Sequence, residues 1–493
     1  MTAVFVASRH WYVAAICVGL VSVPARSANA SPAEIAKARA ELTSAYVASL
    51  EELARWCDER NLPDQACETR AWSMPRDPQR LYLVVLPEPV GPASLPADTS
   101  PDVIEWDKRF RAARNDQADG LFQLARSAIR SSRASLAYEL ALDAARENPD
   151  HEAARRLRGF RQFQGQWHTA YEIDKLRKHN VWHERFGWLP REHIERYEKG
   201  ERYLEREKRW IPAADDAKRH ASISTGWDVE TEHYVIRTNH SLEAGVELAT
   251  RLERLHRVWR QTFVRFYASE RDVAQLFRGQ GTASRAPRQH RVIYFSNRTE
   301  YERALKRYLP AGVQTTGIYL AEQARAYFFA DGSEDHSTLY HEATHQLFHE
   351  SKTPSPAVGR KANFWIIEGI ACYMESLASQ GGFDTLGGPD AERYQDARVR
   401  RIDDDFYVPL AELTALGMEQ LQRDSRIARL YTQSAGLTHF LMHYDGGRYR
   451  DGLVAYLSTV YSGRDTLQSL AQLTGTGYDI LDRQYREFLA SDE

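Results

Sequence analysis

The sequence predicts an α+β protein in which a mostly helical N-terminal region precedes a domain with a small mixed sheet and a helical C-terminal part. Three observations support this prediction. Residues 32–62 and 104–148 place Ala, Leu and Glu at helical spacing. Between residues 227 and 332, short strand-like stretches alternate with amphipathic helical stretches. The segment WIIEGIACYME at 365–375 is typical of a buried helix.

The length and composition exclude several classes of function. The 493 residues are enough for two or three domains, each with its own core. A hydrophobic content of 43% and a charged content of 27% are typical of globular proteins. The formal net charge of −3 gives no electrostatic reason to expect nucleic acid or an anionic membrane as a partner.

Residues 1–30 are predicted to be a signal peptide. An apolar run at 11–23 is followed by Ala28-Asn29-Ala30, an A-x-A cleavage pattern. The run is too short to cross a bilayer as a helix, which takes about 20 residues. We expect export to the periplasm or the extracellular space after cleavage near Ala30, without stable membrane insertion. An uncleaved anchor is the alternative.

Composition divides the rest of the chain into four segments. An N-terminal helical segment and a Pro-rich linker come first, then a helical region punctuated by tryptophan, then the last domain; their bounds are 31–73, 74–105, 106–225 and 226–493. The linker is interrupted by the strand-like LYLVVL at 81–86. The N-terminal helical region is the expected site for a protein partner.

Trp167, Trp188 and Trp210 each open a similar phrase, at intervals of 21 and 22 residues. Thr169, Pro190 and Pro212 stand where a short helix would begin. We therefore expect the tryptophans to anchor short strand-turn-helix units to one another. A ligand-binding aromatic surface is the alternative.

Cys57 and Cys67 are close enough in sequence to close a small loop. In an oxidising compartment a disulfide between them is expected. Cys372 lies in an apolar helical stretch and is expected to be a small buried residue rather than a nucleophile.

The last domain begins with strand and helix signals in alternation. Tyr234, Ile236 and Thr238 alternate as in a half-buried strand, and a long amphipathic helix follows at 242–267. HRVIYFS is a second strand, and Asn297 is a good N-cap for the next helix. GIYLA and RAYFFADG are two further strands. We expect RAYFFA to offer its edge to an extended peptide.

The stretch YHEATHQLFHE at 340–350 contains His-Glu-Ala-Thr-His. On a helix, His341 and His345 are separated by about 40° around the axis, so both imidazoles can reach one ion. Glu342 lies beside that face and can accept a proton from water. Zinc suits two imidazoles and a carboxylate, and other divalent ions that accept this ligand set remain open.

The motif still needs a third metal ligand, and three patterns in the sequence could supply one. The metzincin pattern fails because position 348 is Phe and position 351 is Ser. His349 lies one turn after His345 but drifts about 80° from His341, so we expect it to support the site rather than to bind the ion. Glu368 lies in a buried apolar helix, where an unpaired carboxylate is costly and a metal would offset that cost.

H-E-x-x-H followed by W-x-x-E-G-x-A-x-Y-x-E is similar to the gluzincin metallopeptidases, in particular the aminopeptidase-N-like group and the peptidase-MA-like domains of exported bacterial proteins. The resemblance covers roughly residues 230–493. It implies a zincin-like domain with a small mixed sheet, an active-site helix and a helical C-terminal subdomain.

The resemblance also implies roles for individual residues. His341, His345 and Glu368 would be the ligands of Zn²⁺, and Glu342 the catalytic base. Glu375 would be an outer partner of the ligands or a helix-packing residue. The Gly-x-Met-Glu-Asn stretch with which aminopeptidases of this group capture a free amine is missing from residues 315–333, which favours an endopeptidase.

Members of this group also use a Tyr or His from the helical subdomain to stabilise the transition state. Tyr431 is our choice in LYTQSAGLTHFLMHYDGG, with a core aromatic as the alternative role. His439 and His443 lie on later turns, and Tyr373 is expected to be a packing residue.

The sequence therefore predicts an exported zinc metallopeptidase that acts on peptides or proteins. The alternative is a catalytically silent binding or scaffold protein with a vestigial or structural zinc site. A structural site should have four protein ligands, whereas a catalytic site should have three.

Overall fold

The computed structural model describes residues 31–73, 76–85, 95–278, 289–309, 315–332 and 335–491. The predicted signal peptide and part of the Pro-rich linker lie outside these residues. Helices dominate the described chain and the strands form small sheets, which confirms the α+β class. No helix in the described ranges is both long enough and apolar enough to cross a membrane.

The first helix begins directly after a side-chain N-cap. Ser31 caps the first helix: its hydroxyl accepts from the N–H of Glu34, whose carboxylate accepts from the N–H of Ser31. Asn148 ends the fourth helix before a proline, as expected. The elements of this region are α1 (Pro32–Asp58), α2 (Pro63–Trp72), β1 (Arg80–Val84), α3 (Pro101–Arg130), α4 (Ala134–Glu147) and α5 (Glu152–Leu157).

The expected disulfide between Cys57 and Cys67 is not formed, because both are free thiols. Cys57 is fully buried at the end of α1, in an apolar cluster that includes Leu50, Ala66 and Trp106. Cys67 is exposed on α2. The packing of α1 against α2 therefore directs one sulfur into the core and the other to the surface.

Residues 161–219 form three successive units, each a two-stranded hairpin followed by a short helix. The prediction that residues 106–225 are helical is therefore wrong from residue 161 onward, where hairpins alternate with short helices. Trp167, Trp188 and Trp210 lie on the second strand of their hairpins. The ring of Tyr171, in the first unit, contacts that of Trp188 in the second, and the ring of Trp210, in the third, contacts that of His193 in the second. Trp188 and Trp210 therefore join units, as expected. The elements are β2 (Arg161–Phe163), β3 (Gln166–His168), α6 (Ala170–Arg177), β4 (Asn180–His183), β5 (Gly187–Pro190), α7 (Ile194–Glu198), β6 (Glu201–Leu204), β7 (Arg209–Pro212) and α8 (Ala213–Arg219).

A five-stranded mixed sheet follows, as predicted. Its elements are β8 (Trp227–Glu230), β9 (Tyr234–Thr238), α9 (Leu242–Thr262), α10 (Val264–Tyr267), α11 (Glu270–Phe277), β10 (His290–Phe295), α12 (Arg298–Leu305), β11 (Gly317–Leu320) and β12 (Arg325–Phe329). The strand order is β11-β12-β10-β9-β8, with β9, β10 and β12 parallel and the two outer strands antiparallel. Tyr234, Ile236 and Thr238 are buried, which confirms the alternation.

The edge expected at RAYFFA is wrong, because β12 lies between β11 and β10. Its last four residues, including Phe328 and Phe329, are buried, as expected for an interior strand. The edge on this side of the sheet is β11 instead.

The C-terminal part is helical. Its elements are α13 (Ser337–Ser351), α14 (Phe364–Met374), β13 (Ala378–Gln380), β14 (Phe383–Gly387), α15 (Glu392–Ile402), α16 (Leu410–Ala415), α17 (Met418–Arg423), α18 (Ile427–Gly447), α19 (Arg450–Tyr461), α20 (Ser469–Thr474) and α21 (Tyr478–Ala490). Every residue of α14 is buried, and α18 packs along it. Helical geometry in α18 breaks at Tyr444, Asp445 and Gly446.

The strand-like stretch inside the predicted linker belongs to this C-terminal part. β1 pairs with β14 in antiparallel register, with Arg80 opposite Gly387 and Val84 opposite Phe383. β13 lies on the other side of β14. Residues 80–84 therefore form an edge strand of this sheet rather than a linker, in agreement with the strand-like character of the stretch.

Candidate metal centre

The helix α13 holds the two motif histidines on one face. Leu339, Ala343 and Leu347 anchor its opposite face in the core. The Nε2 atoms of His341 and His345 are 3.1 Å apart. Two imidazoles one turn apart on a fixed helix therefore converge on one point, as their spacing predicts.

The third member of the group comes from α14. The Oε2 atom of Glu368 lies 3.4 Å from Nε2 of His341 and 3.7 Å from Nε2 of His345. Atoms bound at about 2.0–2.1 Å to one tetrahedral ion lie about 3.3–3.4 Å from each other. The three side chains therefore fit a zinc-sized ion, and among the described residues they have no fourth side-chain ligand in their group.

The environment of Glu368 explains why a carboxylate is tolerated there. The residue is only 8% exposed. Burial opposes ionisation, but the charge of His345 and hydrogen bonds from His341 and His345 outweigh it and hold the pKa of Glu368 below its ordinary range. A cation between these groups would provide the same compensation for the buried charge.

Glu342 faces the same space without joining the ligand group. The backbone N–H of Tyr319, on the edge strand β11, donates to Oε2 of Glu342 over 2.8 Å. Burial raises the pKa of Glu342, although the nearby His345 and His341 oppose the shift. A fixed carboxylate with a raised pKa is suited to accept and return a proton near neutral pH.

Glu375 is placed behind His341, as predicted. Its Oε1 accepts from Nδ1 of His341 over 2.7 Å, and its Oε2 accepts from Nε of Arg393 over 2.7 Å. Such a hydrogen bond on Nδ1 leaves Nε2 free to bind a metal. Cys372 is buried with Sγ 4.0 Å from Nδ1 of His341, and burial raises the pKa of its thiol, which agrees with a packing role.

Tyr431 reaches the group from α18. Burial raises the pKa of its phenol, and the nearby carboxylate of Glu368 adds to the shift. The approach of α18 to α14 depends on Gly369. A Cβ there would lie 2.6 Å from Oγ1 of Thr438 and 2.7 Å from the carbonyl oxygen of Ser434.

The other aromatic candidates lie elsewhere in the helical core. His439 stacks on Tyr394 with ring centroids 4.0 Å apart. Nε2 of His443 is 2.9 Å from the hydroxyl of Tyr373, which agrees with a packing role for that tyrosine. His349 hydrogen-bonds through Nδ1 with the hydroxyl of Tyr319 over 3.1 Å, so it contacts the edge strand and not the three ligands.

Two residues at the centre were not predicted. Tyr319 positions Glu342 and His349. Its strand GIYLA is predictable from the sequence, but these two contacts are not. Arg393 holds Glu375, and nothing in its local sequence points to that role. Both depend on long-range packing.

Comparisons of the chain with protein-family models, with curated proteins and with solved structures found no match.

Proposed function

We propose that the chain is a zinc-dependent metallopeptidase of the gluzincin type that hydrolyses internal bonds of peptides or proteins. The observation that carries the proposal is the convergence of His341, His345 and Glu368 at tetrahedral spacing, with Glu342 beside them. Three protein ligands leave a position for water and substrate, whereas a structural zinc site has four.

The residues divide the chemistry between them. When bound, zinc supplies a Lewis acid and lowers the pKa of water to about 7. Glu342 accepts a proton from the attacking water and delivers it to the nitrogen of the leaving amine, because its carboxylate is fixed by Tyr319 beside the ligands. The hydroxyl of Tyr431 donates a hydrogen bond to the oxyanion that develops on the scissile carbonyl.

The edge strand β11 supports an extended peptide as substrate. It pairs with β12 on one side only, so its other edge can add a strand. Tyr319 on this strand already touches Glu342, which brings an added peptide next to the base. The missing amine-capture sequence favours cleavage within a chain over removal of the first residue.

The alternative is a binding or scaffold protein with an inactive site. It does not account for Glu342, since neither a scaffold nor a structural zinc site needs a half-buried carboxylate beside the ligands that is not itself a ligand.

The test measures zinc and hydrolysis together on the wild type and on Glu342→Gln. We expect about one zinc at this centre in both, and a loss of about 10²–10⁴-fold in kcat in the variant on a quenched fluorescent peptide library. Glu322→Gln, an exposed carboxylate exchanged in the same way, is the control and should match the wild type. Full hydrolysis by Glu342→Gln would exclude the mechanism, and bound zinc without hydrolysis in the wild type would favour the scaffold.

A further inference from the structure

A second group of potential metal ligands lies on α9 and the turn before β9. Glu253 and His256 are three residues apart on α9, so their side chains share a face of the helix. His233 immediately precedes β9 and points to that face. One ligand atom from each of the three lies within 4.8 Å of the others. None of these residues belongs to the group around His341.

The group is tightly built. Oε1 of Glu253 accepts from the backbone N–H of His233 over 2.7 Å, and Oε2 lies 2.8 Å from Nδ1 of the same residue. The ring of His256 stacks on that of His233 with centroids 3.7 Å apart. The backbone of the turn is therefore tied to α9 through one carboxylate.

His256 is the member that hydrogen bonding leaves unexplained. The residue is only 8% exposed, and its ring lies against those of His233, Trp259 and His290, with no side-chain hydrogen bond among the described residues. A cation can therefore bind a ring nitrogen without displacing a hydrogen bond of His256. A bound cation would satisfy one nitrogen.

The surroundings extend the polar character of the group. Nδ1 of His290 lies 2.9 Å from Oε2 of Glu350, and the His290 ring is 6.1 Å from that of His256. The buried hydroxyl of Tyr234 has no hydrogen-bond partner within the described part of the chain. Burial lowers the pKa of His256, and the positive charges of Arg260 and Arg257 lower it further. The charge around the group is therefore mixed rather than strongly negative. This balance suits an ion that prefers imidazole over one that prefers oxygen ligands.

We propose that His233, Glu253 and His256 form a second site for an imidazole-binding divalent cation such as zinc, separate from the candidate metal centre. The ion joins the turn before β9 to α9. Binding replaces the hydrogen bond between His233 and Oε2 of Glu253 and releases any proton carried by the imidazoles. The role proposed for the site is structural, since the ion joins two elements of the fold through these three side chains.

The test is a zinc titration of the chelator-treated full chain by calorimetry, with bound zinc counted by plasma mass spectrometry. We expect about two equivalents in the wild type and about one in His256→Asn, with affinity at the altered site reduced at least about tenfold. Glu253→Gln keeps the shape and a hydrogen-bond acceptor, so it tests the site even if His256→Asn folds poorly. His240→Asn, at an exposed histidine, should keep both equivalents.

His345→Ala separates this proposal from the proposed peptidase site. It should retain the equivalent that His256→Asn removes, and zinc should still raise the Tm of His345→Ala but not that of His345→Ala/Glu253→Gln. A wild type that binds only the equivalent lost in His345→Ala would overturn the second site. Survival of the second equivalent in both His256→Asn and Glu253→Gln would overturn it as well.

Discussion

The Nδ1 atom of His341 lies 2.7 Å from Oε1 of Glu375, and the other carboxylate oxygen of Glu375 is held by Arg393. The imidazole is thereby fixed in the form that presents Nε2 to its partners. A ligand that is oriented in advance loses less freedom when it binds a metal.

Removing that support should weaken zinc binding without removing a ligand. We expect Glu375→Ala to lower zinc affinity about 10–100-fold, because His341 loses the acceptor that orients it. Competition against a chromophoric chelator measures the affinity. Glu419→Ala, at an exposed glutamate, is the control. Unchanged affinity in Glu375→Ala would mean that the contact serves helix packing only.

Tyr431 should contribute to turnover rather than to binding. In Tyr431→Phe the hydroxyl near Glu368 is lost while the ring remains. We expect kcat to fall about 10²-fold, with zinc content and KM unchanged, because an oxyanion donor acts in the transition state. Steady-state kinetics on a cleaved peptide measure both constants. Tyr444→Phe, on the same helix, should leave kcat intact, and an equal kcat in Tyr431→Phe would assign Tyr431 to the core.

Gly369 should tolerate no side chain. A Cβ there meets the backbone oxygen of Ser434 at 2.7 Å, which cannot yield as a flexible side chain can. We expect Gly369→Ala to lower the free energy of unfolding by about 1–3 kcal/mol. Urea unfolding measures it. The matched control is Gly120→Ala in α3, where the close atoms belong to the flexible end of Leu42. Equal effects of the two substitutions would contradict this account.

The ionised carboxylate of Glu139 should stabilise the folded protein at neutral pH and lose that effect in strong acid. Its carboxylate lies 2.9 Å from Arg39 and 3.0 Å from Arg450. Burial opposes ionisation, but the two guanidinium groups outweigh it and lower the pKa to about 2, from 4.5. Stability from this group is therefore fully present above pH 4.5 and is lost as the pH falls through about 2.

We expect Glu139→Gln to lower the free energy of unfolding at pH 7 by about 3 kcal/mol. The difference from the wild type should shrink as the pH falls from 4.5 toward 2. Chemical unfolding at a series of pH values measures it, with Glu41→Gln, an exposed residue, as the control. A difference that does not depend on pH would mean that packing, not ionisation, sets the effect.

The predictable part of the candidate site is local. His341, Glu342 and His345 share one helix, so their spacing alone fixes their geometry. Glu368 was found because a carboxylate among apolar residues needs a partner. Its distance from the histidines depends on how α14 packs against α13, and a local sequence pattern does not specify that packing.

The failures all concern how separate elements pack against one another, which a local sequence pattern does not specify. The edge expected at β12 belongs to β11, because strand order depends on which strands meet and not on their residues alone. The sulfur atoms of Cys57 and Cys67 diverge because α1 and α2 pack with different faces inward. Arg393 in α15 contacts Glu375, which follows α14, across the intervening strands β13 and β14.

The pairing of β1 with β14 has a consequence for how the chain acquires its structure. Arg80 and Gly387 are register partners although they are roughly 300 residues apart, and a contact of that span forms slowly because so long a loop must close. Leu81, Leu83 and Val84 stay without their strand partner until β14 has been synthesised. A fragment that begins at residue 226 would lack the strand beside β14 and expose its backbone edge. The last domain therefore cannot be cut free of the N-terminal region without leaving an edge prone to self-association.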